Sequence, residues 1–339
     1  MSEKIRVGVI GVGHLGQHHA RNYYDNPRCE LTYVCDADGH QGRKIARYYG
    51  AKATKNYKDL VGNVDAVSIA TPTSTHYEIA SYMLAHGIHC LVEKPICNTV
   101  VEAANLTSLA RGNNVVLQVG HIEHFNLAVQ KFKEILTTPR FIECHRQGPF
   151  DPRVKDVGVV MDLMIHDIDI ILRIVRSPIK SFEAVGVAIL TDKEDIANVR
   201  IHFESGCIAN LTVSRVTPKP LRKLRVFQDD AYISLDYRKQ TMEVFRRYAR
   251  DVQQEGMPRY FIESKKIRVK RQEPLKLELD HFLTCVENQV MYPETTGEQA
   301  MEALDVVIRI TEQIRATTVP FPVLDPPIVD WPEAIPAKT

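Results

Sequence analysis

Short apolar runs alternate with segments of helical periodicity along the first third of the chain. Runs such as IRVGVI at 5–10, VDAVSIA at 64–70 and VVLQVG at 115–120 are separated by stretches in which apolar positions recur at helical spacing. Strands that alternate with helices at this interval predict right-handed βαβ units stacked into a doubly wound parallel sheet. We therefore predict a Rossmann domain over residues 1–124.

The pattern changes after the helix that is predicted to open near residue 125. Strand-like alternation recurs in SFEAVGVAIL, IANVRIHF, CIANLTVSRV and YISLDYR, with only turn residues between several of these runs. Successive strands without helices predict a large, mostly antiparallel open sheet, so residues 125–320 form an α+β domain that helices over 275–288 and 297–316 close. The proline-rich residues 321–339 are predicted to be a tail. The fold class is α/β.

Composition and charge exclude several classes of function. The 339 residues are 44% hydrophobic and 25% charged, which is typical of a soluble globular protein, and the net charge of +1 recruits neither nucleic acid nor an anionic membrane. Without a signal-peptide layout or a membrane-length apolar run, we expect a cytoplasmic protein. Seven cysteines without a C-x-x-C pair predict reduced thiols, and the 13 histidines match no metal-site spacing, so no metal is expected.

A glycine-rich loop follows the first predicted strand. It has the spacing G-x-G-x-x-G, and Asp36 ends the second strand 20 residues after Gly16. This arrangement is typical of a dinucleotide site, in which the glycines admit the pyrophosphate and the acid binds the ribose hydroxyls, although Asp36 also fits a solvated strand end. A carboxylate there repels a 2′-phosphate, which favours NAD over NADP. The predicted cofactor contacts of the loop are Gly11, Gly13, His14, Leu15 and Gly16.

Two further loops follow predicted parallel strands. They are ATPTSTHYEIA at 70–80 and LVEKPI at 91–96. Because ligands bind at the carboxyl ends of such strands, both loops are expected to face the cofactor, with Lys94 near the nicotinamide. Taken alone, Glu93 and Lys94 also fit a surface ion pair. The candidate cofactor contacts are Thr71, Thr73, His76, Glu93 and Lys94.

An apolar segment of the second domain, MDLMIHDIDIIL at 161–172, carries four ionisable residues. On a helix, Asp162, His166, Asp169 and Arg173 form one stripe, while Asp167 lies off it and is expected to reach water or a helix-end partner. Such a stripe fits a buried structural network. It also fits a catalytic cleft, where a histidine takes a proton from an alcohol and a nearby carboxylate orients it and supports its charge.

Basic residues cluster between Arg215 and Arg225, with Arg146 and Arg153 upstream. They fit a solvated strand face or, alternatively, a clamp for the diphosphate of a nucleotide sugar, because guanidinium groups bind phosphate oxygens in bidentate fashion.

These motifs, in this order, resemble those of the Gfo/Idh/MocA family of oxidoreductases. The resemblance rests on the glycine-rich loop, ATP followed by His76, EKP, and DLMIH, and it covers nearly the whole chain. It implies a bound pyridine nucleotide and a sugar-like alcohol on the face of the second sheet. It also implies that Lys94, Asp162 and His166 act at the reacting hydroxyl, with hydride passing to NAD⁺ and the proton to His166.

The resemblance extends to a loop, GHIEHFN at 120–126, that implies substrate contacts and supplies Asn126 as a candidate. Two residues depart from the family pattern. Met164 stands where many relatives have glycine, and His124 stands where arginine is usual before Phe125.

A subgroup of that family shows a similar pattern and oxidises the 3-hydroxyl of UDP-N-acetylglucosamine ahead of transamination for amino-sugar lipid A. The resemblance implies such an NAD-dependent enzyme, with Arg146 and Arg153 as further substrate contacts. A dehydrogenase or reductase of a free sugar or inositol-like polyol and a non-catalytic NAD-binding sensor remain alternatives. The apolar alternation on the second sheet, together with the resemblance, predicts a homodimer or homotetramer formed through that face.

Overall fold

Two β-sheets organise the chain. The computed structural model describes residues 4–152, 157–249 and 260–317. Arg153 and the tail predicted for 321–339 lie outside these described residues. Both sheets agree with the predicted fold class: one is wholly parallel and the other is mostly antiparallel.

The first sheet has six parallel strands in the order β3-β2-β1-β4-β5-β6. The strands are β1 Ile5–Ile10, β2 Cys29–Cys35, β3 Lys52–Thr54, β4 Ala66–Ile69, β5 His89–Glu93 and β6 Leu117–Gly120, and the helices are α1 Gly16–Tyr24, α2 Gly39–Tyr49, α3 His76–Ala85 and α4 Val100–Gly112. Of the four helices in the connections of this sheet, α1 and α2 pack on one face and α3 and α4 on the other, as expected for right-handed crossovers in a doubly wound sheet.

Local sequence fixes where these helices begin and end. Asp38 caps α2 by accepting a hydrogen bond from the backbone N–H of His40, and Gly50 ends the helix with a left-handed φ of 71°. Thr99 and Glu102 form a reciprocal capping box at the start of α4. Both faces of the strands are buried, which explains their nearly continuous apolar runs.

The second sheet has eight strands in the order β14-β13-β12-β11-β7-β10-β9-β8. All neighbouring pairs are antiparallel except β7 and β10, which run parallel at its centre. The strands are β7 Pro139–Gln147, β8 Ile179–Val187, β9 Ile196–Phe203, β10 Ile208–Ser214, β11 Leu221–Gln228, β12 Ala231–Asp236, β13 Thr241–Ala249 and β14 Tyr260–Ile267. The sequence patterns predicted neither β7 nor β14 nor the short β3.

Four more helices complete the fold: α5 Leu127–Ile135, α6 Ile165–Val175, α7 Pro274–Glu287 and α8 Gly297–Thr317. Helices α5, α6 and α8 bury one face of the second sheet, while α7 packs beside α1 on the first sheet. The other face of the second sheet carries no helix from the described residues. None of the helices described is both long enough and apolar enough to cross a bilayer.

Candidate active site

The glycine-rich loop joins β1 to α1 and leaves room for a ligand. Gly11 has a φ of 82°, and a Cβ there would lie 2.8 Å from the backbone of Ala70. A Cβ on Gly16 would lie 1.8 Å from the carbonyl oxygen of Gly11, so only glycine permits this close approach. Gly13 is exposed, and a Cβ there would meet no atom within 4 Å. The open space beside Gly13, at a helix N-terminus, fits a pyrophosphate.

Asp36 lies directly after β2 and faces this loop. Its Oδ2 accepts a hydrogen bond from the backbone N–H of Val12 at 2.8 Å, and its Oδ1 accepts one from the backbone N–H of Asp38 at 2.8 Å. Each carboxylate oxygen keeps a further lone pair. The structure therefore shows that Asp36 fixes the glycine-rich loop, whereas its contact with the ribose hydroxyls stays a prediction.

The ATPTSTH loop and the EKP loop are tied together by a buried histidine. The ring nitrogens of His76 lie 2.9 Å from the carbonyl oxygens of Pro95 and Thr71, and burial lowers the pKa of His76 although the two carbonyls oppose this. A neutral His76 donates to one of these carbonyls and lies against the other, so it ties the two loops together, and its contact with the cofactor stays a prediction. Thr71 and Thr73 are half-buried, and their contacts with the cofactor stay predictions.

Lys94 joins the loop after β5 to the turn that precedes α6. Its Nζ donates to the carbonyl oxygen of Asp162 at 2.7 Å and to the carboxylate Oδ1 of the same residue at 3.0 Å. Burial raises the pKa of Asp162, but the Lys94 ammonium outweighs it and holds that pKa below its usual value. Glu93 is buried and lies 3.0 Å from Nε2 of His19. The alternative of a surface ion pair between Glu93 and Lys94 is therefore wrong.

The segment that carries Asp162 begins with a wide turn. Residues Val160–Met164 form a π-helical turn, in which the N–H of Ile165 donates to the carbonyl oxygen of Val160, and α6 follows. Such turns are rare and frequently mark functional sites. Here the turn presents the carbonyl of Asp162 to Lys94. The predicted regular helix is thus correct from Ile165 onward only.

His166 has neighbours that differ from those expected. The carboxylate of Asp162 binds Lys94, and Nδ1 of His166 is buried without a hydrogen-bond partner among the described residues. Burial, together with the positive charges of Lys94 and Arg146, lowers the pKa of His166 well below its ordinary value. His166 is therefore neutral near pH 7, as a proton acceptor must be, but the expected carboxylate support for its charged form is not seen.

Arg146 lies inside the protein, on β7. Its Nε and Nη2 donate to the two carboxylate oxygens of Asp167 at 3.0 and 2.9 Å, and its Nη1 donates to Glu123 at 3.0 Å. The guanidinium also lies 5.2 Å from the ring centre of Tyr237. Two predictions are therefore wrong: Arg146 is not free to bind a substrate phosphate, and Asp167, which is 2% exposed, does not reach water.

The two arginines at the ends of the remaining basic cluster are already paired. Arg215 is buried against Asp195, with Nε 2.6 Å from Oδ1, and Arg225 pairs with Glu143 at 3.3 Å. Because carboxylates already neutralise these two arginines, they are not free to bind a diphosphate, while a phosphate contact by Lys219, Arg222 or Lys223 stays a prediction.

Asn126 caps a helix. Its Oδ1 accepts from the N–H of Ala128 at 3.1 Å, and its Nδ2 donates to the carbonyl oxygen of Tyr237 at 3.0 Å. Both ends of the buried amide are engaged within the protein, so the expected substrate contact of Asn126 is replaced by a capping role.

His121 is absent from the predicted site residues, yet it lies close to Lys94. It follows β6 directly, is 2% exposed, and is near enough to Lys94 for the ammonium charge to bear on its pKa, which burial lowers. The rule that ligands bind at the carboxyl ends of parallel strands selected the loops after β4 and β5. The same rule applied to β6 identifies His121.

The parallel sheet with its glycine-rich loop, and the Lys94–Asp162 bridge to a second sheet, define a two-domain dinucleotide-binding oxidoreductase. The family model for the Gfo/Idh/MocA oxidoreductase family, NAD-binding Rossmann fold, matches residues 5–121, and that for the GFO/IDH/MocA C-terminal domain matches residues 132–234. The chain belongs to the Gfo/Idh/MocA oxidoreductase family. It is an NAD-dependent oxidoreductase of the type that acts on CH–OH groups.

Individual relatives agree with this. The UDP-N-acetylglucosamine 3-dehydrogenase of Acidithiobacillus ferrooxidans is 37% identical over 283 residues, which is 83% of this chain and 88% of that protein. A solved structure of that enzyme superposes with a TM-score of 0.85 at 33% identity, covering 93% of this chain and 99% of the other. The scyllo-inositol 2-dehydrogenase (NAD(+)) of Bacillus subtilis is 26% identical over 93% of this chain and 95% of its own length.

Proposed function

We propose that this protein oxidises the 3-hydroxyl of a nucleotide-linked amino sugar, with UDP-N-acetylglucosamine as the first candidate. The observation that carries the proposal is the Lys94–Asp162 bridge beside a neutral His166, in a chain 37% identical to a UDP-N-acetylglucosamine 3-dehydrogenase over 83% of its length. Lys94, Asp162 and His166 are the proposed catalytic residues.

The proposed roles follow from the contacts of each side chain. NAD⁺, held by the glycine-rich loop and Asp36, supplies the hydride acceptor when bound. Lys94 donates a hydrogen bond to the reacting hydroxyl oxygen and stabilises the negative charge that develops there as hydride leaves. Asp162 holds the Lys94 ammonium in place through a 3.0 Å contact. His166, which is neutral, accepts the hydroxyl proton.

The test is a substrate panel. The protein is incubated with NAD⁺ and either UDP-N-acetylglucosamine, other UDP-sugars, free N-acetylglucosamine or myo-inositol, and NADH absorbance is followed. An aminotransferase that consumes the ketone product is added in a parallel series to pull an unfavourable equilibrium. NADH formation with UDP-N-acetylglucosamine alone supports the proposal. Activity confined to free polyols would instead make the protein an inositol-type dehydrogenase, and NAD binding without any turnover would favour a sensor.

The uncovered face of the second sheet is proposed to bind a second copy of the chain. Four aromatic rings form a ladder across four neighbouring strands, with centroids 4.6 to 5.8 Å apart: Phe141, Phe227, Tyr232 and Phe245. Such a patch is costly to leave in water. Tyr232→Asp should convert the oligomer to monomers in light scattering, whereas Tyr48→Asp, at a residue 78% exposed on the first domain, should not. An oligomer that survives Tyr232→Asp unchanged would contradict this assignment.

A further inference from the structure

His121 is a second imidazole beside the proposed site, and its ring nitrogens are unused. Its Nδ1 lies 3.5 Å from Oδ2 of Asp169, and neither ring nitrogen has a hydrogen-bond partner among the described residues. A histidine that is 2% exposed rarely leaves both nitrogens idle, because an unpaired buried polar group costs about 1–3 kcal/mol. The orientation of Nδ1 toward a carboxylate favours the tautomer with hydrogen on Nδ1, which leaves Nε2 free as an acceptor.

Asp169 is held rigidly behind His121. Its Oδ2 accepts a hydrogen bond from Nε2 of His124 at 2.5 Å, and Nδ1 of His124 is 2.9 Å from Nζ of Lys133. Burial raises the pKa of Asp169, but the neighbouring His121 and His124 outweigh it and hold that pKa at about 2. Asp169 therefore remains ionised at every pH at which the enzyme would work, and its negative charge faces His121.

His166 lacks such support. After burial, the groups that act most strongly on its pKa are Lys94, Arg146, His121 and Arg222, all of which lower it, and Nδ1 of His166 has no partner among the described residues. An imidazolium formed at His166 is therefore poorly stabilised, since three neighbouring positive charges repel it. A proton that reaches His166 needs a better acceptor nearby.

We propose that His121, oriented by Asp169, is the second proton carrier of the active site and receives on Nε2 the proton that His166 takes from the alcohol. This inference rests on the proposed function. The alcohol O–H bond breaks as hydride passes to NAD⁺, and the proton forms an N–H bond first on His166 and then, directly or through one water, on Nε2 of His121. The His121 imidazolium then lies against the Asp169 carboxylate, and it returns the proton to solvent when the product leaves.

The titratable groups around His121 come from three elements. They are Glu93 at the end of β5 and Lys94 directly after it, His166 and Asp169 on α6, and His124 in the turn of His121 itself. Of these, Asp169 is the anion in closest contact, and Lys94 is a fixed cation that disfavours a second positive charge. The proton therefore resides on His121 only transiently, which suits a carrier.

The first test uses nuclear magnetic resonance of the histidine ring nitrogens in the full-length protein and does not depend on any substrate. His121 is expected to be neutral at pH 7 with hydrogen on Nδ1, and on acidification it should gain a proton at a higher pH than His166. Asp169→Asn should abolish this order. Hydrogen on Nε2 of His121, or a His166 that protonates first, would overturn the proposal.

The second test is kinetic. His121→Gln and Asp169→Asn should lower kcat by about 10- to 100-fold at pH 7 while KM and the NAD Kd stay unchanged. The loss should shrink as pH rises, because solvent base takes over the proton, and the solvent deuterium isotope effect on kcat should increase. A control is His89→Gln, at a half-buried histidine at the opposite end of β5, which should keep wild-type kcat. Unchanged kcat in His121→Gln, or a change in KM alone, would disprove the carrier role.

The two tests separate this proposal from the proposed function. A wild-type protein inactive on every UDP-sugar, yet with the expected His121 tautomer and protonation order, would refute the substrate assignment and leave the carrier geometry supported. A wild-type protein that oxidises UDP-N-acetylglucosamine, with His121→Gln equally active, would refute the carrier alone.

Discussion

Substitution of Arg146 tests most directly whether this residue stabilises the fold or binds the substrate. Arg146→Met removes a guanidinium that makes three hydrogen bonds of 2.9 to 3.0 Å to two buried carboxylates, Asp167 and Glu123. Breaking a buried ion pair by removing one partner costs about 3–5 kcal/mol, because the remaining charge is left uncompensated. We therefore expect the free energy of unfolding to fall by about that amount, measured by urea denaturation followed by circular dichroism.

A matched control and the pH dependence sharpen this prediction. Arg225→Met removes the same chemical group from the neighbouring strand, but its pair with Glu143 is a third exposed, so the cost should stay below about 1 kcal/mol.

Burial raises the pKa of Asp167 although Arg146 opposes this, and losing Arg146 raises it further. A raised carboxyl pKa favours the native state as pH falls, so Arg146→Met should be least destabilised toward pH 5 and most destabilised above pH 7.

The double variant Arg146→Met/Asp167→Leu should recover part of the loss, since it removes both charges. The result that would refute this reasoning is an Arg146→Met protein of nearly wild-type stability whose KM for the nucleotide sugar rises at least about tenfold. That outcome would restore Arg146 as a phosphate-binding residue.

Three other predictions concern the cofactor loop, the lysine bridge and acid stability. Gly13→Val should leave the melting temperature unchanged, because no protein atom lies within 4 Å of the Cβ position. The same variant should abolish NAD binding in calorimetry, and retained NAD affinity would contradict a pyrophosphate site beside Gly13. Lys94→Met should lower kcat about 10²- to 10⁴-fold with NAD affinity intact, and normal turnover would exclude Lys94 from catalysis. Asp169, with a pKa of about 2, should contribute about 2 kcal/mol to the free energy of unfolding above pH 4, and this contribution is lost as pH falls toward 2. Asp169→Asn should therefore reduce the fall in stability between pH 4 and pH 2. If the fall is unchanged in this variant, other carboxylates cause it.

The sequence alone determined the two-sheet architecture and the position of the glycine-rich loop. Continuous apolar runs predict the buried parallel strands, and alternating apolar and polar residues predict the antiparallel strands. The glycine spacing describes a single turn between β1 and α1. These features depend on residues that are neighbours in the chain. For that reason, the order of residues suffices to locate the glycine-rich loop, Asp36 and the EKP loop.

The pairing of charges was decided only by the tertiary structure. Strand β7 was missed because buried Arg146 interrupts its apolar alternation, and the carboxylates that make this burial tolerable, Asp167 and Glu123, lie 21 and 23 residues away in the chain. Likewise, Asp162 faces Lys94, 68 residues distant, instead of its helical neighbour His166. Helical spacing predicts which side chains share a face, but the partner that stabilises each charge is brought there by the packing of another element.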